Sequence, residues 1–239
     1  MDTRILDYDF AGAQAPPLVA SRDGGPWCRF TAETGGTPTV KAADGYMKLY
    51  LDTTLENQLA CLYMGDILPF DIDAIKQVDF WAKLGAATVP ASVSLAFGLA
   101  SARNNDPDSI AAHALFRCSG SGSVFCETDD GTNDNDDKST GLTLGTTLKR
   151  FSIDFGSGVK TVVPPPSAGG KANVLFSMDD DNQNLRQVCR STRFDMSNYS
   201  DGLQLFAQIQ KGAASSVIAA DVTAYLLIQR IRIRYQVGA

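Results

Sequence analysis

Apolar and polar residues alternate one for one along segment after segment of this chain, and that rhythm leaves few folds open to it. It runs through "YMKLYLD" (46–52), "QVDFWAKL" (77–84), "SVSLAFGL" (92–99), "KRFSIDF" (149–155), "LQLFAQIQ" (203–210) and "IQRIRIRYQV" (228–237). Alternation sends successive side chains to opposite faces of an extended backbone, so each segment predicts a strand with one face buried and one wet. "ILDYDF" (5–10), "LACLYMG" (59–65), "ALFRCS" (114–119), "SVFCET" (123–128) and "NVLFSMD" (173–179) read the same way. Turn formers punctuate them: "RDGGPW", "ETGGTP", "NNDPDS", "SGSGS", "DDGTNDNDD" and "PPPSAGG". Roughly eleven short strands separated by turns predict an all-β fold, a two-sheet sandwich or a barrel. Helix signals are few. "PFDIDAIKQ" (69–77) has room for one short turn and "NDPDSIAAHA" (105–114) for another, capped by Asp106 or Asp108.

No shift in composition divides the 239 residues, so a single domain spanning 1–239 is expected. Residues 1–45 are less regular and carry Pro16, Pro17, Pro26 and Pro38. They read either as an opening strand with long surface loops or as an N-terminal arm reaching a neighbouring subunit. The apolar share of 44% is enough for a sizeable core. A net charge of −6 repels phosphate backbones and anionic membranes, which argues against nucleic-acid and membrane partners. No apolar run reaches the ~18 residues a membrane helix needs. "MDTRILDYDF" lacks the basic and apolar regions of a secretory signal, so folding in a cytosol is expected. The five cysteines, Cys28, Cys61, Cys118, Cys126 and Cys189, are odd in number and contain no C-x-x-C. Cys118 and Cys126 flank "SGSGS", and a hairpin there would bring them near each other, although a cytosol favours packed, reduced thiols.

Residues 125–141 gather Glu127, Asp129, Asp130, Asp134, Asp136 and Asp137. A calcium-binding EF-hand loop needs Gly at its sixth position and Glu at its twelfth. Starting at Asp130 puts Asn135 sixth; starting at Asp134 puts Ser139 sixth and Gly145 twelfth. A hydrated hairpin or loop is therefore the preferred reading over a structural Ca2+ in 129–137, and no cofactor is expected. Glu127 and Asp129 share a strand face, as paired glycosidase acids do, but Gly131 stands where a third acid would follow. His113 is the only histidine, and its apolar neighbours in "IAAHAL" suggest packing over catalysis, so no catalytic residue is assigned. Arg230, Arg232 and Arg234 project from one strand face, and "RQVCRSTRF" adds Arg186, Arg190 and Arg193. These six are either a solvated face or interface candidates that would meet the Asp-rich loops of another copy. Tyr8, Phe10, Trp27 and Phe30 are further interface candidates, though core packing explains them equally well.

The order of segments resembles the concanavalin-like jelly-roll sandwich of laminarin-hydrolysing enzymes and laminin-G-type lectins. The resemblance rests on "DYDF", "GYMKLYL", "QVDFWAKL" and the closing "LLIQRIRIRYQ". It implies an antiparallel two-sheet sandwich; the catalytic carboxylate signature of the enzyme branch is absent. A second resemblance spans roughly residues 55 to 155 and is carried by "LACLYMGDILPFDIDAIKQVDFWAKL", "FGLASARNNDPDSIAAHALF", "ETDDGTNDNDDKSTG" and "KRFSIDF". These segments are similar to structural proteins of tailed bacteriophages, including head decoration (cement) proteins. That implies a non-enzymatic virion protein on the capsid surface, made in the host cytoplasm. It would be a homo-oligomer, in many relatives a trimer, that grips the major capsid protein. The alternative is a carbohydrate- or receptor-binding lectin-like module of a phage tail or fibre, with Trp27, Trp81 and the 129–137 acids as its ligand contacts.

Overall fold

The computed structural model describes residues 2–11, 27–53, 57–85, 93–119, 122–156, 170–212 and 225–237. Among these the strands are β1 (Asp2–Asp9), β2 (Cys28–Glu33), β3 (Thr39–Ala43), β4 (Tyr46–Tyr50), β5 (Gln58–Tyr63), β6 (Phe70–Asp71), β7 (Ile75–Leu84) and β8 (Val93–Ala100). They continue as β9 (His113–Ser119), β10 (Ser123–Asp129), β11 (Asp134–Thr143), β12 (Lys149–Asp154), β13 (Leu175–Asp179), β14 (Leu185–Gln187), β15 (Gly202–Lys211) and β16 (Tyr225–Val237). The one helical element among the described residues is a single 3-10 turn, Pro107–Ser109, capped by the Asp106 side chain as its sequence suggests.

Two eight-stranded sheets result. The first runs β14-β13-β12-β7-β16-β4-β3 and the second β11-β10-β9-β8-β15-β5-β2; β1 adds to β16 and β6 to β15. Every pairing is antiparallel. The 13-residue β16 is long enough that β4 and β1 share one of its edges while β7 takes the other. Its alternation sets the register: Ile231 and Ile233 are buried, and Arg230, Arg232 and Arg234 point outward.

The inner faces meet through a chain of phenylalanines. Phe97 of β8 touches Phe80, Phe116 and Phe151 at centroid separations of 5.4, 5.8 and 4.9 Å. Phe176 then links Phe116 to Phe194 at 5.1 and 4.8 Å. Such edge-on and offset pairs add to what burial of the rings contributes. Beside Phe97, Gly98 has φ +154°, and a Cβ there would lie 2.2 Å from the Ala114 carbonyl oxygen. Only glycine lets β8 approach β9 this closely.

Three expectations change. The described parts of residues 1–45 are mainly strands built into both sheets, beginning with the expected opening strand β1; residues 12–26 lie outside the described residues. Trp27 and Phe10 are 0% and 2% exposed, and Tyr8 sets its ring edge-on to Trp27 at 5.0 Å. Phe10 and Trp27 are thus part of the core, and Tyr8 packs against it half-buried. Residues 69–77 form the short β6 and a tight turn into β7 instead of a helical turn.

The acidic stretch is a hairpin whose second limb is a strand. β11 is an edge strand with polar side chains on both sides, and charge along an edge discourages pairing with another chain. Its turn is tied by Asp130, which accepts the backbone N–H groups of Thr132, Asn133 and Asn198 and both Asn side-chain amides. Burial raises the Asp130 pKa, but these bonds together outweigh it and hold the carboxyl below its ordinary value. Asp130→Ala orphans five donors, and chemical denaturation should show a loss of about 1–3 kcal/mol.

Candidate functional site

The outer face of the first sheet gathers the arginines. Arg150, Arg230 and Arg232 lie 5.3, 5.2 and 5.5 Å from the centroid of the Trp81 ring, within cation–π range. Asp79, buried, takes a forked bond from Arg150. Asp7 accepts Arg230 Nε at 2.7 Å and Arg232 Nη2 at 3.0 Å. The Arg230 bond is the main reason that the Asp7 carboxyl lies below its usual range, against the smaller opposing effect of burial. Arg234 reaches the Gln77 Oε1 at 3.4 Å. The strip is thus largely neutralised within the chain, and the guanidinium groups occupy the ring of Trp81. Arg186 pairs with Asp180 at 2.6 Å and Arg193 with Asp195 at 2.9 Å, while Arg190 donates to the Gln187 carbonyl. The Asp-rich loop expected to meet these arginines from another copy meets Arg186 in the same chain.

The outer face of the second sheet is built differently. Ala96, Ala100, Leu115, Phe206, Cys61 and Leu59 form a second apolar cluster there, and Ile110 buries itself among them. The segment between β8 and β9 therefore folds back over its own sheet. It is pinned at several points: Gln208 Nε2 donates to the Asn105 carbonyl at 2.9 Å, and the Arg103 guanidinium lies 3.8 Å from the centroid of Phe30. Phe30, an interface candidate by sequence, is thus a half-buried part of this platform.

Under that segment lies a buried charge cluster. Glu127 (0% exposed) accepts His113 Nε2 at 2.8 Å through one oxygen and Arg117 through the other. His113 (1% exposed) sets its Nδ1 2.9 Å from the Ile110 carbonyl, which makes that nitrogen a donor. Burial, the largest influence, would raise the Glu127 pKa; the bonds and charges of His113 and Arg117 together outweigh it and hold the carboxyl below its ordinary value. Burial likewise opposes a charged His113, but Glu127 and the Ile110 carbonyl prevail and its pKa is raised. A β-bulge in β11 opposite Glu127 brings Asp136 and Asp137 to the same place, and the 3-10 turn brings Asp108.

Carboxylate oxygens of Asp108, Glu127 and Asp136 lie within 4.8 Å of one another, a spacing that fits the ligands of one hard cation. Arg117 already stands in this group, bonded to Glu127, 3.1 Å from Asp108 and 3.7 Å from Asp137. The guanidinium supplies the positive charge that an ion would otherwise bring. The 129–137 acids thus divide: Asp130 ties a turn, Asp129 accepts the Gly131 N–H, and Asp136 joins the cluster.

Past the end of the covering segment the sheet face stays open. A groove of about 380 Å³ runs over Ala32 and Leu59, walled by Glu33, Asn57, Asn105 and Gln210. Sequence reading passed over these residues. The available signal was the glutamines at 204, 208 and 210, polar side chains at alternating positions of an otherwise apolar strand. Gln208 is 1% exposed and its Oε1 has no partner among the described residues.

No protein-family model matches the sequence, and no curated protein matches it either. Solved structures do share the fold. A structure titled native glycosidic hydrolase aligns with TM-score 0.60 at 10% identity over 98% of this chain and 96% of its own. The carbohydrate recognition domain of Emp47p aligns with TM-score 0.57 at 12% identity over 97% and 95%. That of Emp46p, in a potassium-bound form, aligns with TM-score 0.51 at 15% identity over 87% and 88%. The two-sheet concanavalin-like jelly roll expected from the sequence is therefore present, and at these identities the likeness extends to the fold alone. The expectation of a non-enzymatic protein is corrected: a glycosidic hydrolase has this fold over nearly the whole chain, so the architecture gives no ground for excluding catalysis. Nothing in these likenesses supports the virion role, the trimer or the capsid partner that the phage resemblance implies.

Proposed function

We propose that the protein binds carbohydrate on the outer face of its second sheet, in the groove over Ala32 and Leu59. The observation that carries this reading is the make-up of that groove: an apolar floor with amide and carboxylate walls, left open where the covering segment ends. Sugar rings present C–H faces to apolar surface, and their hydroxyls both donate and accept. Asn57, Asn105 and Gln210 can answer in both senses, while Glu33 accepts. The same fold in a carbohydrate recognition domain and in a glycosidic hydrolase supports the substrate class.

A glycan array followed by calorimetric titration of the best ligand tests the proposal. Gln210→Ala and Asn57→Ala should each weaken binding about tenfold, the effect of losing roughly 1.4 kcal/mol of hydrogen bonding. Trp81→Ala should leave affinity unchanged. Retention of no glycan, or equal affinity in the groove variants, contradicts the proposal. Reducing-end release measured in the same samples reads out cleavage. Asp108→Asn and Asp136→Asn are the substitutions to compare there, because Asp108 and Asp136 are the exposed members of the clustered acids and retaining hydrolysis uses carboxyls about 5–5.5 Å apart.

A further inference from the structure

Two of the five cysteines meet. Cys126 lies on the inner side of β10 and is fully buried, while Cys189, just past β14, is partly exposed and packs against the same core. Cys126 stands directly across the ladder from Lys138 of β11. Cys189 Sγ lies 3.2 Å from the carbonyl oxygen of that same Lys138 and 3.4 Å from that of Ser139. Both thiol side chains therefore gather at the Lys138 backbone of β11. By contrast Cys118 pairs in register with Val124 and Cys126 with Phe116, so the pair flanking "SGSGS" is offset along the hairpin.

We infer that Cys126 and Cys189 form an oxidisable pair that closes to a disulfide between β10 of the second sheet and the segment after β14, which belongs to the first. The chemistry divides between them. The neighbouring Cys126 thiol is the largest influence on Cys189 and, with the charge of Lys138, holds its thiol below the ordinary value against the opposing effect of burial. Burial above all, then the neighbouring Cys189, pushes Cys126 well up. Cys189 is therefore the attacking thiol and Cys126 the resolving one. With a low-molecular-weight disulfide as oxidant, the Cys189 thiolate attacks one of its sulfurs and releases the first thiolate. Cys126, giving up its proton, then displaces the second from the mixed disulfide. Two protein thiols are oxidised to one disulfide and the oxidant is reduced to two thiols.

The test is to incubate the folded full chain with oxidised glutathione, then alkylate, digest without reductant and map the peptides by mass spectrometry. The expected product links Cys126 to Cys189 and leaves three of the five thiols free. Its Tm should rise by about 5–10 °C and fall back on reduction, since a closed loop of this length constrains the unfolded chain. Cys189→Ser should lose both the link and the shift, while Cys118→Ala should keep the link. Five thiols still titratable, a link between Cys118 and Cys126, or a glutathione adduct persisting on Cys189 would each overturn the inference. The wild-type peptide map decides the matter even where a variant folds poorly.

Discussion

Glu127→Ala should cost about 3–5 kcal/mol of folding stability, and Glu127→Gln less, as measured by reversible chemical denaturation. The reason is what the carboxylate leaves behind. His113, buried, and Arg117, partly exposed, both give a hydrogen bond to Glu127; alanine strands the imidazole in the core and leaves the guanidinium only its outer partners Asp108 and Asp137. The same cluster sets a pH dependence whose sign can be worked out. His113 has its pKa raised from the ordinary 6.5, so its contribution is complete below 6.5 and is lost as pH rises through the raised value. Glu127 has its pKa lowered from 4.5, so its contribution is complete above 4.5 and is lost as pH falls through the lowered value. The cluster therefore stabilises most between pH 4.5 and 6.5. A Tm profile should decline on the alkaline side of 6.5, and His113→Gln should flatten that decline. An unchanged alkaline limb in His113→Gln would remove the histidine from the account.

Phe97→Ala should be equally damaging, at about 3–5 kcal/mol. Phe97 is the ring on which Phe80, Phe116 and Phe151 converge, so its removal opens a cavity where the sheets meet. Neighbouring strands are held by their ladders and cannot close the space. Phe97→Leu keeps most of the volume and should cost about 1.5 kcal/mol or less. Equal losses for the two substitutions would mean that the ring contacts, and not the filled volume, dominate.

The fold was legible wherever a strand had one dry and one wet side. β4 and β16 alternate in burial as in sequence, whereas β7, β8, β12 and β15, found by the same rhythm, are buried along much of both faces, in β8 and β15 because the segment between β8 and β9 covers the outer one. β11 was not recognised as a strand because it is an edge with no apolar face; Asp134, Asp136 and Lys138 carry no rhythm of burial. β2 and β3 were hidden by the Pro- and Gly-rich setting around them, and β14 by its three-residue length. The candidate site was harder still. Asp108, Glu127 and Asp136 come from three separate segments, and the search for paired acids ran along one strand. His113 was read from its alanine neighbours as a packing residue. It is buried, but the partner that keeps it there stands fourteen positions away. Periodicity reports which face a residue occupies and is silent on which segment folds over that face.

Chemical-shift mapping of a bound oligosaccharide on isotopically labelled protein tests the central claim most directly. Carbohydrate binding at the second sheet predicts perturbations concentrated at Ala32, Asn57, Leu59, Asn105 and Gln210, saturating at one ligand per chain. Perturbations centred on Trp81 and its arginines, or a flat map with every glycan that the array returns, would contradict it.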